Sequence, residues 1–212
     1  QKHSYPWGIL INANGRRFVD EGADFRNYTY AKYGAVVLRQ PNNFAYQVFD
    51  NKIIPMLRAE YRIKRVSKVS GNTLEELASK LEGVDAAAFL DEIKTYNAAV
   101  KKSVPFNPNV KDGRCTEGLA INKSNWANTI EDGPFEAYQV GCGVSFSFGG
   151  VRIDPDSGQV IDSDMNPIPG LYAAGELVGG IFYFNYPGGS GLMSGAVFGR
   201  IAGTGAAAAR NA

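Results

Sequence analysis

Histidine and cysteine are nearly missing from this chain: His3 is the single histidine, and Cys115 and Cys142 are the two cysteines, in 212 residues. One histidine at the start excludes a His-based triad or a His-rich metal centre. Neither cysteine has a second Cys or a His at zinc-ligand spacing, so no metal site is expected. The cysteines read as reduced thiols of a cytoplasmic protein. Charge of one sign is also missing. The net charge is +1 and no block of like charges occurs, which argues against nucleic acid as a partner. No apolar run has the length of a membrane span, so no membrane insertion is expected. There is no Gly-x-Gly-x-x-Gly following a strand, the pattern that cradles a dinucleotide, and no initiating methionine or signal peptide. The chain reads as a fragment.

What is abundant is glycine, with 25 residues, 16 of them between Gly141 and Gly205. The chain therefore has a mixed, charged first part and a Gly-rich, weakly charged second part. In the first part, Trp7–Asn12, the Asn14-Gly15 turn and Arg16–Val19 read as a β-hairpin. Asn27–Leu38 has helical spacing of apolar residues, and Phe44–Phe49 reads as a strand. Thr73-Leu-Glu-Glu76 opens a short helix with a capping box. A second helix is expected over Asp85–Lys102, with Phe89, Ile93, Tyr96 and Val100 on one face. The loop from Ser103 to Asn125 reads as the connection between domains. In the second part, residues 137–140, 144–148, 151–153 and 160–161 are short strand candidates, Leu171–Ala174 is a buried-strand candidate, and Gly191–Ala209 is a helix.

That last helix carries the first candidate site. Gly191, Gly195, Gly199 and Gly203 recur every fourth position, each costing about 1 kcal/mol relative to alanine. A close-packed backbone or a flat ligand would offset that cost, and a small-residue packing stripe explains it equally well. Gly188, Gly189 and Ser190 precede the helix, where free N–H groups favour a polar or anionic atom. Glu176 ends a strand beside that helix start, a common ligand-facing position in α/β sheets. A solvated acid is the alternative.

Three stretches carry a resemblance: Ile168-Pro-Gly-Leu-Tyr-Ala-Ala-Gly-Glu176, Gly149-Gly-Val-Arg-Ile-Asp154, and Pro187-Gly-Gly-Ser-Gly-Leu-Met-Ser-Gly195 running on to Gly203. They resemble the carboxy-terminal FAD-binding segment of the fumarate reductase/succinate dehydrogenase flavoprotein family. The resemblance implies FAD as cofactor, with Glu176 on its ribose or ribityl region, Gly189, Gly191 and Leu192 at the flavin ring, and Ser147 and Phe148 also touching flavin. It implies an α+β fold: a substrate-capping domain plus the carboxy-terminal portion of an α/β FAD-binding domain. The expected division is a bridging hairpin over 1–21, the cap over 22–135 and the FAD-binding part over 136–212.

The hairpin Gly15-Arg-Arg-Phe-Val-Asp-Glu21 resembles the cap segment of that family in which an arginine exchanges a proton with substrate, here Arg17. Arginine has a pKa above 12 and needs a carboxylate and a dry site to act as a base; Asp20 or Glu21 would provide the carboxylate. Solvated arginines are the alternative. The family's histidine and threonine before the paired glycines are replaced here by Val144–Phe148, and its arginine before the Gly-rich helix by Tyr186. Together with residues 22–34, this makes the chain similar to the tricarballylate dehydrogenase branch, which oxidises a tricarboxylate to cis-aconitate. Arg26, Lys32 and tyrosines 28, 30, 33, 183 and 186 would then form the anion pocket, with Tyr30 and Tyr33 also readable as core. The implied reaction is hydride transfer from a saturated carbon of a small carboxylate to flavin, with electrons leaving to a separate acceptor protein or a quinone-linked oxidase. Such a fragment is expected to be inactive alone. Ketosteroid dehydrogenase-like or fumarate reductase-like chemistry, and a cap-like binding module without flavin, are the competing readings.

Overall fold

A computed structural model describes residues 2–210. Its contacts divide the chain into two compact units, 1–142 and 143–212, each described by itself.

Unit 1 is built on a four-stranded antiparallel sheet in the order β1-β2-β4-β3, with β1 at Ile9–Ile11, β2 at Phe44–Phe49, β3 at Lys68–Gly71 and β4 at Phe135–Gly141. Both faces of its centre are covered. Ile9, Ile11, Tyr46 and Val48 point into one core with Phe89, Ile93 and Tyr96, while the alternate residues Leu10 and Ala45 point into another with Tyr33 and Val37. This is the period of two expected of strands. The helices are α1 (Arg26–Leu38), α2 (Leu74–Lys80) and α3 (Ala86–Ala99). Thr73 caps α2 by accepting from Glu76 N at 3.1 Å, and Asp85 caps α3 by accepting from Ala88 N at 2.9 Å.

The expected hairpin exists in shortened form. Gly15 adopts φ +70° and its N–H donates to Asn12 O at 3.0 Å, but the return limb makes one antiparallel bridge, Ile11 to Arg17, rather than a strand. Residues 2–21 pack as part of unit 1, since β1 pairs along β2. The 103–125 loop does not carry the chain between units. It folds back within unit 1, where the Arg114 guanidinium donates to the carbonyls of Lys102 and Ala127, and the Trp126 indole N–H reaches Asn107 O and Val110 O. Many unpaired backbone groups needed partners, and these side chains supply them. Strand β4 belongs to this unit as well, so the division falls after Cys142.

Unit 2 is smaller and more open. Strands β5 (Gln159–Ile161) and β6 (Pro167–Tyr172) form an antiparallel pair, and the long helix α4 spans Ser190–Arg210. Residues 144–148, expected as a strand, have no strand pairing, and 151–153 make single bridges only. β6 is largely exposed rather than buried, because a two-stranded sheet has too little area to cover it. Its small core comprises Val160, Ala173 and Val178, with Val151, Ile153 and Ile168 against it.

Candidate functional site

The paired glycines set the frame in unit 2. Val151 N–H donates to Leu177 O at 2.9 Å and Gly179 N–H to Val151 O at 3.0 Å, so the 149–151 and 177–179 backbones run side by side. A Cβ on Gly150 would lie 2.2 Å from Leu177 O; only glycine permits that approach. Gly175 turns the chain with φ +78° and leaves the next residue, Glu176, exposed. Glu176 Oε1 accepts from Ser147 N at 2.9 Å, which ties the irregular 144–148 segment to the strand end.

Beside this pair lies a cleft of about 220 Å³ lined by Phe146, Ser147, Gly175, Glu176, Val178, Phe182, Tyr186, Gly191 and Ser194. Its apolar wall is a ring cluster. Tyr186 meets Phe146 and Phe182 edge-on, with centroids 4.6 and 4.9 Å away, and lies nearly parallel to Phe148 at 6.3 Å. The Tyr186 hydroxyl accepts the Gly191 N–H at 2.9 Å. A Cβ on Gly191 would sit 2.8 Å from that oxygen, so Gly191 serves the tyrosine as a close neighbour. The N–H of Leu192 has no hydrogen-bond partner among the described residues, and its side chain is 78% exposed.

The glycine stripe of α4 proves to be uneven. Gly195 lies 3.8 Å from Gly175, measured from an added Cβ, whereas Gly199 and Gly203 meet nothing within 4 Å. The tightest contact on the helix is off the stripe, where a Cβ on Gly205 would lie 2.6 Å from Ser157 O.

In unit 1 the two candidate arginines have opposite surroundings. The Arg17 side chain is 2% exposed and pairs with Glu21, which is fully buried, through Nη2–Oε2 at 2.7 Å and Nε–Oε1 at 3.1 Å. It also donates to Ile121 O and Val19 O and lies 5.1 Å over the Tyr96 ring. Burial alone would lower its pKa, but the charge and hydrogen bonds of Glu21 raise it above the ordinary arginine value. Glu21 in turn accepts Leu10 N–H at 2.8 Å. Asp20, the other carboxylate considered for Arg17, is committed elsewhere, to Ser124 and Gly22.

Arg26 is the first residue of α1, half-buried, and its guanidinium makes no ion pair or hydrogen bond among the described residues. Burial and then the nearby Arg58 charge push its pKa down. Of the other anion-pocket candidates, Tyr33 is core: it is buried and its hydroxyl donates to Asp20 O. Lys32 Nζ rests over the Tyr33 ring at 5.5 Å, and Tyr30 faces His3 with ring centroids 4.9 Å apart.

Ser147, Glu176, Tyr186 and Gly191 are thus brought together in one cleft. Phe148 packs against Phe146, Phe182 and Tyr186 of its wall, and Gly189, with φ +96°, and Leu192 stand at the start of α4 on either side of Ser190 and Gly191. Sequence reasoning missed Phe146, Phe182 and Ser194. Ser194 falls one turn after Ser190, the only sequence signal of the three. The phenylalanines lie on irregular backbone, where no periodicity marks a facing.

A family model described as FAD binding domain matches residues 4–192. The NADH:fumarate oxidoreductase of Klebsiella pneumoniae (strain 342) is 38% identical over 197 residues, covering 92% of this chain and 19% of that protein. The open conformation of a flavocytochrome c3 fumarate reductase superposes with a TM-score of 0.69 at 29% identity, over 99% of this chain and 34% of its own. The 3-ketosteroid Δ1-dehydrogenase of Sterolibacterium denitrificans shares the fold, with a TM-score of 0.67 at 24% identity, over 98% of this chain and 40% of its own. The chain therefore spans a fifth to two-fifths of the proteins it matches.

The cofactor this family takes is FAD, and the unit 2 cleft fits part of it. A carboxylate oxygen of Glu176 not used by Ser147 can accept a hydroxyl, the free Leu192 N–H can donate to a ring heteroatom, and the aromatic wall suits a flat apolar body. The cleft is smaller than the 300–1,000 Å³ usual for sites enclosing a whole ligand of moderate size, so it matches one portion of so large a cofactor.

Proposed function

The chain belongs to the FAD-binding domain family of flavoproteins, and on that premise we propose that the protein it is part of is an FAD-dependent oxidoreductase acting on a carbon–carbon bond of a small carboxylate. FAD, when bound, supplies the two-electron redox chemistry. The chain's own residues supply the rest. Glu176, Ser147 and the start of α4 orient the cofactor, and the rings of Phe146, Phe182 and Tyr186 keep water from the wall they form.

The proton is assigned to Arg17. What supports this is the carboxylate and the dry surroundings that a guanidinium needs to exchange one: Arg17 is buried and bonded to Glu21. The guanidinium of Arg26, which makes no ion pair or hydrogen bond among the described residues, is left to hold a carboxylate of the substrate. Tyr186 is a positioning residue, since its hydroxyl is bound to Gly191 N–H.

The specific substrate proposed is tricarballylate, oxidised to cis-aconitate, with electrons passing to a separate acceptor protein or quinone-linked oxidase. A ring ketone is the second reading, favoured by the aromatic wall of the cleft. Stopped-flow reduction of the full-length protein separates them. Bleaching of the flavin by tricarballylate or succinate is the expected result, and a flavin that responds to neither acid but to a cyclic ketone would replace the first reading with the second.

A further inference from the structure

Strand β1 lies at the edge of its sheet, paired with β2 on one side. Its other side is closed piecemeal. Asn12 N–H donates to Arg16 O at 3.0 Å, Leu10 N–H donates to Glu21 Oε1 at 2.8 Å, and Gly8 O accepts from the ammonium of Lys123, a fully buried residue. Gly8 C=O and Leu10 N–H lie on the same side of an extended chain, little more than one residue's rise of about 3.3 Å apart. The Glu21 carboxylate and the Lys123 ammonium that bind them are therefore neighbours, although the direct ion pair of Glu21 is with Arg17. The segment carrying Lys123 is laid along the Arg17 limb. Ile121 O accepts from Arg17 Nη1 at 2.9 Å, Ser124 N–H donates to Asp20 Oδ1 at 3.0 Å, and Asn125 Nδ2 donates to Gly22 O at 2.8 Å. A Cβ on Gly22 would lie 2.1 Å from Asn125 O, so the two segments touch.

The Lys123 ammonium has three donors and uses one of them among the described residues. A buried cation so poorly paired is costly. Burial pulls its pKa down to about 8, with Arg17 acting in the same direction and Glu21, Asp20 and Asp112 opposing. Arg17, Glu21 and Lys123 thus form a row of two cations about one buried carboxylate. While Arg17 is charged, it compensates Glu21. Arg17 must be neutral before it takes a proton, and Glu21 would then stand alone as a buried carboxylate, the state that makes a broken buried ion pair so unfavourable. A second cation alongside changes that, because a positive charge within about 4–6 Å still favours the ionised carboxylate.

We infer that Lys123 is a positioning residue for proton exchange at Arg17, its ammonium keeping Glu21 compensated while the guanidinium is neutral. This rests on the assignment of the proton to Arg17 above. The backbone of Lys123 suits the role, since its N–H and C=O are both tied to Thr116, at 2.7 and 2.9 Å, and so fix the point from which the side chain runs inward to Gly8.

Stopped-flow reduction of the full-length holoprotein by tricarballylate tests this, with stability read alongside in urea. Lys123→Met should slow flavin reduction about 10- to 100-fold, equivalent to about one to two pK units of lost compensation at Glu21, with the Kd of the acid changed little. Lys123→Gln, which can still donate to Gly8 O, should be as slow, whereas Lys123→Arg should recover part of the rate. If Lys123 merely closes the strand edge, Lys123→Gln reduces flavin at the wild-type rate, and that result overturns the inference. The pH profile needs no variant. The wild-type rate should turn down as pH rises through about 8, where Lys123 loses its charge, and a rate that keeps rising there overturns the inference. Arg17→Lys separates the inference from the reading it rests on. Loss of rate in Arg17→Lys with none in Lys123→Met removes the role of Lys123 alone, and a full rate in Arg17→Lys removes both. If neither tricarballylate nor succinate reduces the flavin, the cyclic ketone that does serves for the same comparison.

Discussion

Unit 1 exposes scattered apolar side chains such as Leu38 and Ile63 but buries three clusters and closes a buried ion pair around Arg17 and Glu21; unit 2 has one small cluster and exposes Val144, Tyr183, Phe184, Leu177 and Leu192, with Phe184 83% exposed. The two differ in area available for a core. Unit 1 has two layers of side chains on its sheet, whereas unit 2 has a two-strand sheet and a helix with one small cluster. A patch of large exposed apolar side chains marks a surface made to be covered. The difference leads us to expect that unit 1 folds by itself and that unit 2 needs further surface to complete its core.

The strongest way to break that comparison is to separate the units. Residues 1–142 expressed alone should unfold cooperatively in urea, and residues 143–212 alone should show neither a cooperative transition nor dispersed amide resonances. The present chain should retain little flavin on purification, because its cleft matches only part of FAD. A cooperatively folded unit 2 that held flavin would reverse the comparison.

Within unit 1 the next effect is the ion pair. Glu21→Ala leaves the buried Arg17 guanidinium without its carboxylate and should destabilise by about 3–5 kcal/mol, read as a lower urea midpoint. Arg26→Ala removes an unengaged group and should alter stability by less than about 1 kcal/mol while raising KM more than it lowers kcat. A fully folded Arg17→Lys protein should lose turnover; if Arg26 carried the proton instead, Arg26→Ala would lose it and Arg17→Lys would not.

Lys123 gives a third test, through pH. It is fully buried, with its ammonium donating to Gly8 O, and burial pulls its pKa down to about 8 from 10.5. The folded-state pKa lies below the unfolded one, so the protonated form opposes folding. The penalty is complete below pH 8 and is relieved as pH rises towards 10.5, for a gain on the order of 3 kcal/mol. Lys123→Met should remove that gain, seen as a flatter difference in unfolding free energy between pH 7 and pH 10. An unaltered slope would show that the ammonium is compensated by Glu21 and Asp20.

How much of this could be read from the sequence follows from the same contrast. Helices α1 to α3 were legible because one face of each is buried in unit 1, which imposes a period, and because Thr73 and Asp85 cap α2 and α3; strand β2, buried on both faces, was legible as a short run of β-prone apolar residues. The 144–148 segment was not, since its alternation of apolar and polar residues suggests a strand while Phe146 and Phe148 in fact join a ring cluster around Tyr186. The cleft residues Ser147, Glu176 and Gly191 were legible through motif resemblance rather than periodicity. The contrast in surroundings between Arg17 and Arg26 was invisible, because it depends on Glu21 being buried against Arg17 while Arg26 has no ion-pair partner among the described residues.

The smallest effect concerns the glycines of α4, which the sequence presents as equivalent. Gly199 is open on all sides and Gly205 is pressed against Ser157 O. Both sit inside the same helix, so alanine brings each the same gain in propensity, about 1 kcal/mol. Gly199→Ala should therefore stabilise the full-length protein by about that amount. Gly205→Ala must also displace the 155–158 turn, an overpacking cost of about 1–3 kcal/mol, and should be neutral or destabilising. Thermal unfolding of the two variants side by side isolates the packing term. A destabilised Gly199→Ala protein would mean that a surface absent from these 212 residues lies against that face, which is where unit 2 would then meet the remainder of its domain.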